Sequence, residues 1–107
     1  MDRLSQLLEY HHEDPDDSFI RFALATEYLK LGHEEKARAT FEELVSHDPD
    51  YVGTYYHLGK LYERLDQYER AIKIFKDGIR VAGIQADLHA RAELQSALLE
   101  AKGVGDD

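Results

Sequence analysis

The sequence contains no cysteine, which excludes disulfide frameworks, thiolate zinc sites and cysteine nucleophiles. Proline is scarce, with only Pro15 and Pro49, and tryptophan is absent. No apolar run approaches the ~20 residues of a membrane span. The opening Met1-Asp2-Arg3-Leu4 lacks the basic segment and apolar core of a signal peptide, so a cytoplasmic location is expected. Basic residues are few: 13 Lys and Arg stand against 22 Asp and Glu, a net charge of −9. Phosphate backbones and anionic membrane surfaces repel such a chain, so neither nucleic acid nor membrane is expected as a partner. Enzyme signatures are also missing, with no Gly-rich phosphate loop, zinc-protease spacing or serine elbow. What is present, 107 residues of which 43% are apolar, suffices for one domain with a packed core.

Both prolines stand in the same tripeptide. Asp14-Pro15-Asp16 recurs as Asp48-Pro49-Asp50, 34 residues later. The same offset joins Leu24 to Leu58, Tyr28 to Tyr62, Leu31 to Leu65, Ala37 to Ala71 and Phe41 to Phe75. Each period reads as two helices. Asp16-Asp17-Ser18 offers capping oxygens, and Ile20, Leu24, Tyr28 and Leu31 form one helical stripe. Gly32 ends that helix, and a second runs from about Glu34 to His47 with Ala37, Phe41, Leu44 and Val45 facing inward. In the second copy Tyr55, Leu58, Gly59, Tyr62 and Leu65 precede a turn at Asp66, where Asp tolerates left-handed backbone. Tyr68, Ala71, Ile72, Phe75 and Ile79 follow, with Gly83 expected to close the helix. Small residues let the helix backbones approach while large ones fill the gaps beside them. A bulky side chain at Gly59 should therefore overpack its crossing.

These residues resemble the tetratricopeptide repeat, a 34-residue helix-turn-helix unit. Leu24-Ala25, Tyr28, Ala37, Phe41 and Pro49 carry the likeness in one copy, and Tyr55, Leu58-Gly59, Tyr62, Ala71 and Phe75 in the other. Arg21, Leu44, Gly78 and Gly83 depart from the pattern. The resemblance implies an all-α fold, a right-handed superhelix of about six antiparallel helices. Residues 2–13 form an N-terminal half unit, 18–49 and 52–83 the two repeats, 86–102 a C-terminal capping helix and 103–107 a frayed tail. On the cap, Leu88, Ala92, Gln95 and Leu99 are expected to face inward.

In this family the first helix of each unit lines a concave groove for peptides or partner helices. Helical-wheel arithmetic places Phe19, Phe22, Thr26 and Leu29 opposite the core stripe. The matching positions are Tyr56, Lys60, Glu63 and Arg64 in the second unit, and Arg91, Leu94 and Leu98 in the cap. The resemblance thus implies a non-catalytic module that binds a peptide or helix of another protein, with no cofactor. The alternative is a structural subunit that pairs with itself as a homodimer, or is one part of a longer solenoid, through the exposed stripe or through Leu94 and Leu98 of the cap. The clamp with which some relatives hold chaperone tails is missing, since Phe22 and Asp87 occupy two of its places. His11-His12 lies beside Glu13-Asp14, but adjacent helical residues diverge by about 100° and make poor joint ligands, so no metal is expected. The acidity fits either a basic partner or adaptation to salt.

Overall fold

The computed structural model describes residues 2–105, which form six α-helices and no strand. They are α1 (Arg3–Glu13), α2 (Ser18–Lys30), α3 (Glu34–His47), α4 (Gly53–Arg64), α5 (Tyr68–Ile84) and α6 (Leu88–Gly105). Two compact units result, one ending at Tyr51 and the next beginning at Val52. Aspartates start three of the helices. Asp2 accepts from Ser5 N–H at 2.7 Å, Asp17 from Ile20 N–H at 3.1 Å and Asp87 from Ala90 N–H at 3.0 Å. Each satisfies a donor that the helix leaves unpaired and sets negative charge at its positive end. The left-handed residues Gly32 (φ 81°) and Asp66 (φ 60°), 34 apart, turn α2 into α3 and α4 into α5.

In the first unit α2 is packed on two sides. Toward α1, Leu7, Ala23 and Leu24 form a buried cluster with Leu4 and Tyr28 at its edge. Toward α3, the Phe22 and Phe41 rings meet edge-on at 6.0 Å, and Ser18 Oγ donates to Asp48 Oδ2 at 2.6 Å. The start of α2 therefore lies beside the end of α3, and the pair is antiparallel. Arg21, 34 residues before Tyr55, is only 6% exposed. Its stem is buried while Nη2 donates to Pro15 O at 2.8 Å, pinning the turn between α1 and α2. Leu31, expected in the core stripe, is half-exposed because it is the C-cap of α2, beyond the last turn that packs.

Two glycine notches set the helix spacing of the second unit. A Cβ on Gly59 would stand 2.2 Å from the Phe75 ring. One on Gly78 would stand 2.5 Å from Tyr55 Cβ and 3.0 Å from Leu94 Cδ1. Helix α5 thus lies antiparallel against α4 at close range, and Leu94 brings α6 onto the same glycine.

The far end of this unit departs from the expected pattern in three ways. Gly83 does not close α5; the helix runs through it to Ile84, and the turn is made by Ala86 at φ 56°. Helix α6 continues to Gly105, beyond the expected 102, its last turns anchored by the fully buried Ala101. Residues 106–107 of the expected tail lie outside the described residues. The inward face of α6 is also different: Leu94, Ala97 and Ala101 are buried, whereas Leu88 and Leu99 are each 72% exposed and Ala92 and Gln95 face solvent. The cause is register. Leu94, Ala97 and Ala101 repeat Tyr55, Leu58 and Tyr62 at an offset of 39 rather than 34. Helix α5 has 17 residues where α3 has 14, but the turn after it is shorter, so α6 starts 35 residues after α4; the rest of the offset is the face that α6 turns inward, with Leu94 seated against Gly78.

Ala86 supplies a direct check on the turn. A non-glycine residue in left-handed backbone costs roughly 1–2 kcal/mol, and glycine returns part of that gain as extra freedom in the unfolded chain. Ala86→Gly is expected to stabilise the protein by about 0.5–1 kcal/mol in urea unfolding. A loss of stability would place the turn elsewhere.

Candidate functional site

Helix α2 carries its expected outer stripe in graded depth. Phe41, fully buried, touches Phe22; Phe22, half-buried, stacks at a tilt on Tyr51 with ring centroids 5.5 Å apart; Phe19, three residues back, is 68% exposed. Thr26 turns its hydroxyl to Ala23 O at 2.9 Å, and Leu29 is half-buried one turn further on. Sequence reasoning passed over Tyr51, which follows Pro49-Asp50 and lies in no helix. Its phenol titrates above its ordinary range because it is partly buried and faces the carboxylates of Asp17 and Asp48.

In the second unit Tyr56 is half-buried with its ring nearly perpendicular to His57, at 5.9 Å. Lys60 reaches Glu63 at 3.1 Å and Glu100 at 3.8 Å. The hydrogen bond to Glu63 is the main cause that holds its ammonium above its usual pKa. Lys60, Glu63 and Arg64 line an open depression of about 430 Å³ with Tyr68, Glu100 and Val104. Glu100 and Val104 come from the part of α6 that the 34-residue register misplaces. Among the expected cap residues, Arg91 is exposed and Leu98 half-buried. Leu94, expected on the groove, is 1% exposed and belongs to the core beside Gly78. It is available neither to a peptide nor to a second copy.

Charge is distributed very unevenly. Residues 1–51 hold thirteen Asp and Glu against five Lys and Arg, a net −8, and residues 52–107 hold nine against eight, a net −1. No helix among the described residues is long and apolar enough to cross a membrane.

Antiparallel helix pairs repeating every 34 residues, with small residues at each crossing, define an α-helical repeat protein. The sequence profile of the tetratricopeptide repeat matches residues 35–98. The chain belongs to the tetratricopeptide repeat family. It is 54% identical to a tetratricopeptide repeat domain protein from Salinibacter ruber whose solution structure covers 87% of this chain and 94% of its own, with a TM-score of 0.83. It is 28% identical over 79 residues to the TPR repeat-containing protein PA0015 of Pseudomonas aeruginosa, covering 74% of this chain and 75% of that protein. The TPR2B domain of yeast Sti1, in complex with pHsp70, shares the fold at 16% identity and a TM-score of 0.86, covering 94% of this chain and 80% of its own.

Proposed function

We propose that the chain is a non-catalytic, cytoplasmic adaptor that holds a segment of a partner protein against the first helix of a unit. The observation that carries this reading is Phe19. A phenylalanine 68% exposed on a regular helix, in line with Phe22, Thr26 and Leu29, is apolar surface in excess of what the core uses. In the second unit Tyr56, Lys60, Glu63 and Arg64, with Arg91 and Leu98 of α6, offer an aromatic and mixed-charge surface for the same purpose. Family membership supports the reading, as does the yeast Sti1 domain, whose shared fold has a partner bound. That partner's mode does not transfer, because Phe22 and Asp87 stand where the chaperone-tail clamp needs other residues. Anchoring by a few exposed aromatics within a polar surround is the usual energetic pattern of such surfaces.

The test is selection of a random dodecapeptide library on the full chain, followed by titration of the winners. Winners are expected to bind with Kd near the micromolar range and to weaken on Phe19→Ser or Arg64→Glu. Phe19 is preferred to Phe22 because Phe22 supports the buried Phe41, so its replacement would confuse binding with stability. No enrichment, or winners indifferent to both substitutions, would overturn the reading.

A further inference from the structure

We infer that the α2 face of the first unit takes a cationic segment, one that presents Lys or Arg beside an apolar anchor. This rests on the interaction reading above and gives its partner a chemistry. The anchor's place is the aromatic series Phe19, Phe22 and Tyr51, whose ring faces attract cations as well as apolar groups. The charge around it is fixed in position. Asp17 is held at the start of α2 by capping Ile20 N–H, and Asp48 is held beside it by Ser18 at 2.6 Å. Asp16 and Asp50 are exposed next to them in the chain.

Of the five bases of this unit, Arg21 stands at the Asp14-Pro15-Asp16 turn and offsets part of its charge, and three others are engaged elsewhere. Arg3 lies 3.6 Å from Glu27, and Arg38 pairs with Glu35 and Glu42 at 2.7 and 2.8 Å. Arg21 is buried on Pro15 O, and Lys36 sits over the Tyr28 ring at 5.9 Å. The negative charge of Asp17 and Asp48, set beside Ser18 and Tyr51 at the start of α2, is the field that a segment approaching Phe19 meets. It draws a cationic segment in and raises its rate of encounter. It repels an acidic segment and equally a second copy of the chain, which presents the same −8 surface.

Two dodecapeptide sub-libraries, identical except that three positions are fixed as Lys or Arg in one and as Gln in the other, test this on the full chain. The basic sub-library is expected to yield binders at least tenfold tighter. Their affinity should fall about tenfold on Phe19→Ser, and again in the variant carrying Asp16→Asn, Asp17→Asn, Asp48→Asn and Asp50→Asn. Asparagine keeps the capping oxygens, so that variant loses charge while keeping its fold, which a melting curve verifies. Raising KCl from 50 to 300 mM should weaken binding by a similar factor. Equal affinity from the two sub-libraries would overturn the charge inference while leaving the interaction reading intact. Failure of both sub-libraries would remove both. A dimer abolished by Phe19→Ser would assign this face to a second copy and overturn the inference.

Discussion

Gly59→Ala, a change that ordinarily strengthens a helix by about 1 kcal/mol, is expected here to destabilise the protein by about 2 kcal/mol. The new Cβ would lie 2.2, 2.5 and 2.7 Å from three ring carbons of Phe75. Ordinary contact needs more than a further ångström, and Phe75 is fully buried, so its ring has no free space to swing into. Overpacking of this kind costs roughly 1–3 kcal/mol, and the upper end exceeds the gain in helix propensity. A loss of 2 kcal/mol in a domain of this size lowers Tm by roughly 10 °C. Because the obstruction is a ring, shortening the ring should relieve it. In a Phe75→Leu background, Gly59→Ala is expected to cost much less than in the parent, a coupling that a double-mutant cycle in urea reads directly. A Gly59→Ala variant more stable than the parent would mean that α4 and α5 are further apart than described.

Gly78→Ala is expected to cost about the same, roughly 2 kcal/mol, and to resist rescue. Here the opposing atom is Tyr55 Cβ, at 2.5 Å. That atom moves only with the backbone of α4, so trimming Tyr55 to Leu leaves the obstruction in place. Leu94 Cδ1 closes the notch from the other side at 3.0 Å. Relief requires α5 to withdraw from one neighbour or both, with loss of contact along whole helices. The expected result is an additive Gly78→Ala/Tyr55→Leu pair beside a strongly coupled Gly59→Ala/Phe75→Leu pair. Rescue by Tyr55→Leu would show that the ring, and not the backbone spacing, sets the limit.

The helix pairs could be read from sequence because they rest on local chemistry repeated at a fixed interval. Asp-Pro-Asp, Gly32 and Asp66 mark the ends, and the spacing of Leu24, Tyr28 and Phe41 with their counterparts marks the buried faces. The α2 stripe was legible for the same reason, since the element's limits and phase were both known. Helix α6 was not. It carries Leu88, Ala92 and Leu99 on one side and Leu94, Ala97 and Ala101 on the other, and composition alone gives no preference between them. The preference comes from Gly78 of α5, against which Leu94 is seated, and no pattern within α6 records it. The same slip hid Glu100 and Val104 beside Lys60 and Arg64. Tyr51 escaped notice because it belongs to no helical period; its position just after the second Asp-Pro-Asp was the available signal.

The notch at Gly78 has a meaning for folding beyond helix spacing. A helix greasy on two opposite sides can dock either way round, and a half-turn rotation of α6 would bury about as much aliphatic surface as the arrangement adopted. Such near-degeneracy roughens an energy landscape unless something separates the alternatives. Leu94 fits a socket that exists only because residue 78 lacks a side chain, while Leu88 and Leu99 stay exposed. One missing methyl group thus acts as a keyway, choosing which side of the last helix comes in.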